Sequence, residues 1–167
     1  MRQIWFVFLV VFGLQSCSVK YSFTGASIPD GVETFQVNFF QNNAPIVEPG
    51  IDRDFTIALQ DIIQNQSSLS LTNSGGHLVY EGEITEYRIA PMTATAQQTA
   101  AQNRLTMSVN VRYFNRKNED DDFEKSFSFF YDYPATEQLI GSTLDAALAE
   151  IFERITQDIF NASLANW

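Results

Sequence analysis

The segment LTMSVNVRY, residues 105–113, alternates apolar and polar side chains without a break. A period of two is typical of a β-strand that buries one face. The segment FEKSFSFFYDY, residues 123–133, alternates almost as regularly, and the charged run RKNEDDD, residues 116–122, separates the two. Because charged and turn-forming residues favour a reversal between strands, we predict that the two segments form an antiparallel hairpin.

Three further strands are predicted upstream of this hairpin. Residues 32–40 alternate, with Phe35, Val37 and Phe39 predicted on the buried face. A short strand is predicted at residues 69–72 and a longer one at 77–89. The apolar phase of the longer strand shifts by one residue, which predicts a β-bulge near Thr85-Glu86.

Two amphipathic helices complete the pattern. Pro49 to Gln66 and Ser142 to Asn166 repeat apolar residues at three and four positions, with Glu48 and Ser142 as predicted N-caps. The first helix crosses from one strand to the next, which allows that strand pair to be parallel. We predict an α+β fold, with one mixed, mostly antiparallel sheet of about four main strands and two helices on one face.

The N-terminus is predicted to carry a signal peptide and a lipid anchor. Arg2 precedes the apolar run IWFVFLVVF, residues 4–12, which is shorter than the ~20 residues of a spanning helix. The segment LQSC, residues 14–17, is similar to a lipoprotein processing site, so Cys17 is predicted to be lipidated. The alternative interpretation is a signal-anchor helix with Cys17 as an ordinary thiol. The predicted organisation is a signal peptide (1–16), a lipidated leader (17–31) and a single α+β domain (32–167).

Composition limits the classes of partner. The 167-residue chain has a net charge of −10, which disfavours nucleic acid and anionic lipid surfaces as partners bound through bulk charge. The membrane is expected to hold the protein through the lipid anchor instead. The 15 phenylalanines indicate a strongly aromatic core.

No catalytic constellation is recognisable. His77 is the only histidine and lies beside a Gly-Gly turn, so we interpret it as a turn residue rather than a base or metal ligand. The acidic run at residues 119–122 does not have the spacing of a calcium-binding loop, and a solvated hairpin tip is the favoured interpretation. We therefore expect no enzyme activity, no metal and no cofactor.

Two groups of residues are candidates for contacts with other molecules. The segment PMTATAQQTAAQ, residues 91–102, is polar and uncharged, and it is predicted to be a long loop. Arg88, Arg104 and Arg112 carry guanidinium groups, which bind phosphates in a bidentate manner. The favoured interpretation of the residues alone is that these arginines are solvated strand residues that offset an acidic surface, and phosphate contacts are the alternative.

Six short segments follow one another along the chain: YSFTGASIP (21–29), NNAP (42–45), YEGEI (80–84), NRLT (103–106), DIFN (158–161) and NW (166–167). In their order and spacing, the chain resembles the lipopolysaccharide-assembly lipoprotein family, LptE, in the form found in Bacteroidetes.

The resemblance implies an outer-membrane lipoprotein on the periplasmic side that plugs and scaffolds the lumen of the LptD β-barrel. It also implies that lipopolysaccharide, through lipid A, is a possible ligand. The predicted barrel contact is the long loop, through Pro91, Met92, Thr93, Thr95, Gln97 and Gln98, and Arg88, Arg104 and Arg112 are the candidate lipopolysaccharide phosphate contacts. The alternative function is a stand-alone periplasmic lipoprotein that binds a lipid or another ligand between sheet and helices.

Overall fold

A mixed sheet of six strands carries two long helices. The computed structural model describes residues 27–46, 48–92 and 101–165. In chain order the elements are β1 (Thr34–Val37), β2 (Gln41–Asn42), α1 (Ile51–Gln66), β3 (Ser70–Leu71), β4 (Leu78–Met92), β5 (Gln102–Asn115), the short 3-10 helix η1 (Glu119–Asp121), β6 (Phe123–Pro134) and α2 (Ser142–Leu164). The α+β prediction is confirmed, and the short strands β2 and β3 explain why the sheet exceeds about four strands.

The strands follow the order β3-β1-β4-β5-β6, and β2 also pairs with β4. β1 runs parallel to β3 and to β4, because α1 carries the chain back to the starting end of the sheet. β4, β5 and β6 are antiparallel to their neighbours, so the predicted hairpin of β5 and β6 is confirmed. In the described part of the chain, β3 and β6 are the two edges of the main path.

The predicted bulge is present, because the pairing of β4 with β5 shifts its register between Ile84 and Glu86. The same two strands run further than the sequence predicted. Pro91 pairs with Asn103 and Met92 with Gln102, so the ends of the predicted loop are strand residues. Proline has no backbone N–H to donate. It is tolerated there because β2 pairs with β4 only as far as Ile84, so no neighbouring strand on that side requires a donor from residue 91.

Phe39 does not lie on the buried face as predicted. β1 ends at Val37, and the side chain of Phe39 is 55% exposed whereas Phe40 is fully buried. The backbone N–H of Phe40 donates to Thr56 Oγ1 at 3.1 Å, and its ring packs edge-on against Phe55 at 5.4 Å between centroids. The break between β1 and β2 therefore reverses the alternation.

Both predicted N-caps are wrong, for the same reason. α1 begins at Ile51 after Gly50, whose φ of 84° suits glycine, and α2 begins at Ser142 after Gly141. No side-chain hydrogen bond therefore caps the start of either helix. Instead, acidic side chains in the first turns lie near the positive ends of the helix dipoles, which stabilises both helix starts: Asp52, Asp54 and Asp145.

The helices bury the predicted stripes against the sheet. α1 buries Ile51, Phe55, Leu59 and Ile63, while α2 buries Ala147, Ile151, Ile155, Ile159 and Phe160. α2 packs on β5 and β6, and the two helices pack on each other. The predicted face of β5, which comprises Leu105, Met107, Val109, Val111 and Tyr113, is buried beneath them.

Asn115 organises the turn between β5 and β6. Its buried side-chain oxygen accepts from the backbone N–H groups of Lys117 and Asn118, at 3.0 and 3.3 Å. Its side-chain nitrogen donates to Asp121 at 2.8 Å, and its backbone N–H donates to Asp122 at 2.7 Å. The acidic run therefore closes the hairpin through two of its carboxylates.

We expect Asn115→Ala to lower the free energy of unfolding by about 2 kcal/mol, since it leaves several donors and acceptors of this turn unpaired. Urea unfolding of the purified domain measures the change. Asp120→Ala is the matched control, because Asp120 is exposed in the same turn, and we expect a change within about 0.5 kcal/mol. Equal effects from both substitutions would contradict the role given to Asn115.

Three buried phenols predict alkaline sensitivity. Burial raises the pKa of Tyr87 to about 12, and it also raises the pKa of Tyr80 and Tyr113 above the ordinary value. In the unfolded chain these phenols ionise near pH 10, whereas the native state keeps their protons. Stability is therefore fully present below about pH 10 and is lost as the pH rises through about 12.

Urea unfolding across this pH range, with phenolate absorbance recorded in parallel, tests the expectation. The phenols of Tyr80, Tyr87 and Tyr113 should ionise together with unfolding. Stability that stays constant as these phenols ionise would contradict it.

Candidate interaction surface

The face of the sheet away from the helices is a broad polar surface, which we call the open face. It is formed by β4, β5 and β6, whose side chains alternate between the helix-covered core and this side. Five carboxylates and three guanidinium groups lie on it: Glu81, Glu83, Glu86, Glu124, Asp132, Arg88, Arg104 and Arg112. Hydrogen bonds across neighbouring strands connect these groups into three clusters.

The central cluster is built around Glu86, directly after the bulge. Its carboxylate accepts from Arg88 Nε at 2.9 Å and from Ser108 Oγ at 2.8 Å. The hydrogen bond from Arg88, followed by that from Ser108, lowers the pKa of Glu86. Ser128 Oγ lies 3.0 Å from Ser108 Oγ, so the cluster spans all three strands. The bulge shifts the alternation of β4 by one residue, and this shift places Glu86 on the open face.

A second cluster lies at the end of β5 near the acidic turn. Arg112 donates to Glu81 at 3.2 Å and to Glu83 at 3.1 Å, and Glu81 is the main reason that the pKa of Arg112 is raised. Asn110 donates to Glu83 at 3.2 Å and to Glu124 at 2.7 Å. Carboxylates outnumber cations here, so this end of the open face is acidic.

The third cluster lies at the opposite end and includes aromatic rings. Arg104 forms a bidentate pair with Asp132 at 2.7 and 2.8 Å, which raises the pKa of Arg104. Its guanidinium carbon also lies 3.6 Å above the ring of Phe130. Phe130 stacks on Phe129 with 5.6 Å between centroids, and Arg154 of α2 lies 5.7 Å from Phe129.

This aromatic stack wraps around the outer edge of β6. Adjacent strand residues point to opposite faces, so Phe129 and Phe130 should lie far apart unless both rings lean over the edge. The distance of only 5.6 Å between their centroids shows that they do. The aromatic stack, from Arg104 through Phe130 and Phe129 to Arg154, therefore covers this part of the edge strand.

The structure brings two of the three candidate arginines together. Arg88 pairs with Thr106 and Arg104 with Ala90, so the two are diagonal neighbours on the open face. Arg112 lies eight residues further along β5, at a distance of about 27 Å. Each of the three already donates to a carboxylate, so a phosphate would have to compete with these ion pairs.

The other predicted site residues are placed as follows. Pro91 and Met92 lie at the end of β4, so they extend the sheet towards residues 93–101. Thr93, Thr95, Gln97 and Gln98 lie outside the described residues, as does Cys17. Of the predicted loop, Pro91, Met92 and Gln102 are therefore strand residues.

His77 has a structural partner at the turn where it was predicted. Its Nδ1 accepts from the backbone N–H of Glu33 at 3.0 Å, and its own backbone N–H donates to Thr34 Oγ1 at 3.1 Å. Within the described ranges, no group of three or more His, Cys, Asp or Glu side chains could hold a metal ion. In that same part of the chain, neither helix is long and apolar enough to cross a bilayer.

The fold and the open face define the class of protein as a small α+β domain that presents a wide polar sheet surface. Residues 32–163 match the LptE family, described as lipopolysaccharide-assembly. The chain belongs to this family, and it is an LPS-assembly lipoprotein. The resemblance inferred from the sequence is thereby confirmed.

Solved structures with a similar fold have low sequence identity. The hypothetical protein CT253 from Chlamydia trachomatis is 11% identical with a TM-score of 0.54, covering 81% of this chain and 99% of its own. A PelC dodecamer from Paraburkholderia phytofirmans is 8% identical with a TM-score of 0.51, covering 80% and 90% respectively. At these identities the similarity shows the fold alone. A comparison with curated protein sequences finds no match to this chain.

Proposed function

We propose that this protein is anchored to the outer membrane by a lipid on Cys17 and scaffolds and plugs an LptD-type β-barrel. In this role it acts on the periplasmic side and inside the barrel lumen, without catalysis. The observation that carries the proposal is the open face, because a large barrel lumen is polar and a plug needs a polar surface to match it.

The way the open face is held supports a scaffold. Its charged groups are fixed by cross-strand ion pairs and hydrogen bonds, so they present a rigid pattern of donors and acceptors to a partner. The long strands β4 and β5 carry that pattern towards residues 93–101. We propose that the ends of β4 and β5 next to residues 93–101 contact the barrel together with the open face.

The packing between helices and sheet argues against a carrier. A ligand pocket there would need a few hundred Å³ of apolar space. Fully buried side chains from both layers occupy this position, including Phe55, Leu59, Val109 and Ile151. Three grooves lie on the outside of the described fold instead: about 500 Å³ between the edge of β6 and α2, about 400 Å³ between α1 and α2, and about 230 Å³ beside β2.

Affinity purification of the intact lipoprotein from detergent-solubilised outer membranes tests the proposal, with mass spectrometry of the recovered proteins. We expect a large barrel in stoichiometric amount. Replacing residues 93–100 with a short Gly-Ser turn should reduce its recovery, while the register of Met92 with Gln102 is kept. The matched control removes two exposed charges at the other end of the sheet, Glu119→Ala with Asp120→Ala, and should leave recovery unchanged.

Recovery of the lipoprotein with lipid but without a barrel would overturn the proposal and favour the stand-alone binding function.

We also propose that Arg88 and Arg104 contact lipopolysaccharide phosphates while the protein is bound to the barrel. Arg88→Gln with Arg104→Gln should then weaken the retention of lipopolysaccharide in the recovered complex. Arg53→Gln on α1 is the control, since its side chain is exposed and ion-paired on the helical side.

A further inference from the structure

An open groove of about 500 Å³ separates the outer edge of β6 from the last turns of α2. Its floor is formed by residues 125–128 of β6, and its wall by Asp158, Asn161 and Ala162 of α2. Within the described residues, no strand pairs with the outer edge of β6. An edge strand of this kind has backbone donors and acceptors available for an added strand.

The edge of β6 is open over only half its length. The aromatic stack leans over the edge at Phe129 and Phe130, so an added strand could not pair there. The remaining length of the edge runs from Phe123 to Ser128, and its second part, Lys125 to Ser128, lines the groove. The groove therefore offers a docking position for about six residues of extended chain.

The described chain begins beside this groove. The backbone N–H of Ser27 donates to the carbonyl oxygen of Leu164, at the end of α2, at 2.6 Å. Asp158 lies six residues earlier on the same helix, which is about 9 Å away. The ten residues from Cys17 to Ala26 can span up to about 33 Å, so they can reach every part of the groove.

The sequence of this segment has the pattern of a strand with one buried face. Val19, Tyr21 and Phe23 alternate with polar residues. Its single charge, Lys20, falls on the polar side of this alternation. Phe127 of the groove floor pairs with Val109 and lies on the helix-covered side, where the apolar side chains of the segment can pack.

We propose that the leader, Cys17 to Ala26, docks in this groove as an added strand along Phe123 to Ser128. Val19, Tyr21 and Phe23 face α2, and the polar positions face the same side as Ser126 and Ser128. The lipid on Cys17 is then held at the β6 edge, so the domain has a fixed orientation to the membrane. This inference concerns contacts within the chain and does not depend on the barrel.

Engineered cysteine pairs in the full lipidated protein test the docking. We pair Ser22→Cys with either Ser126→Cys or Ser128→Cys, because neighbouring strands bring Cα atoms to a separation that a disulfide can bridge. The control pairs Ser22→Cys with Ser70→Cys on β3, the opposite edge, where the side chain is also exposed. Mass spectrometry of non-reduced peptides identifies the linked positions.

We expect an intramolecular disulfide with β6 in most molecules and little with β3. Equal linkage to both edges, no linkage to β6, or linkage only between two copies would overturn the proposal. Hydrogen exchange gives a second test. Replacing Val19, Tyr21 and Phe23 with serine should remove protection from the amides of residues 123–128 that point to the outer edge and do not donate to β5, and replacing Ser18, Ser22 and Thr24 with alanine should not. Protection that survives the first replacement would also overturn it.

Discussion

Replacing Phe55 with alanine is expected to lower the free energy of unfolding by about 3–5 kcal/mol. Phe55 is fully buried in α1, and its ring makes edge-on contacts with Phe40 at 5.4 Å and Phe152 at 5.6 Å between centroids. These rings connect the link between β1 and β2, the first helix and the second helix. Removing the central ring opens a cavity that all three elements line, so little of it can close.

Urea unfolding of the domain measures this effect, and Ile57→Ala is the matched control. Ile57 lies two residues further along the same helix and is 46% exposed, so its truncation should change stability by no more than about 0.5 kcal/mol. A loss below about 1.5 kcal/mol for Phe55→Ala would show that the aromatic contacts do not join the layers as described.

Adding a single methyl group at Gly82 is expected to destabilise the domain by about 3 kcal/mol. A Cβ atom there would overlap the backbone oxygen of Asn110 and lie 2.7 Å from Phe40 Cε1. Glycine is therefore required so that β5 and the ring of Phe40 can approach β4. Relief of the clash would require movement of a central strand, which disturbs the sheet on both sides.

A double-mutant cycle with Phe40→Leu separates the two contacts of Gly82→Ala. Because the smaller side chain relieves part of the overlap, the double variant should lose at least about 1 kcal/mol less than the sum of the single variants. Urea unfolding of the four proteins gives the coupling. Additive losses would mean that Phe40 does not rest on Gly82.

Local patterns in the sequence predict most of the fold. The strict alternation from Leu105 to Tyr113 and the phase slip at Thr85-Glu86 report directly which side chains face the core. The misplacement of Phe39 has a tertiary cause, since the hydrogen bond of Phe40 to Thr56 ends the alternation from outside the strand. The helix starts were missed because glycine conformation, rather than a side-chain cap, sets them at Gly50 and Gly141.

Less of the open face than of the fold could be predicted from the sequence. Arg88, Arg104 and Arg112 were recognised as polar strand residues, but their partners depend on the register of β4, β5 and β6. Asp132 and Glu86, which hold Arg104 and Arg88, were not identified. Aligning the two strands of the predicted hairpin by their apolar faces would have paired Arg104 with Asp132, since both lie on polar positions at the same level. The aromatic stack over the β6 edge has no sequence signal, because it requires both rings to leave their normal directions.

The most direct test of the claim that the open face contacts the barrel is photo-crosslinking in intact outer membranes. The photo-crosslinking residue replaces Thr106. Thr106 lies on the open face between the strand positions of Arg88 and Phe130. The same probe at Ala146, exposed on α2, marks the helical side. Our account predicts an adduct with a large barrel from Thr106 that is stronger than any from Ala146. A barrel adduct from Ala146 alone, or no barrel adduct from Thr106, would contradict it.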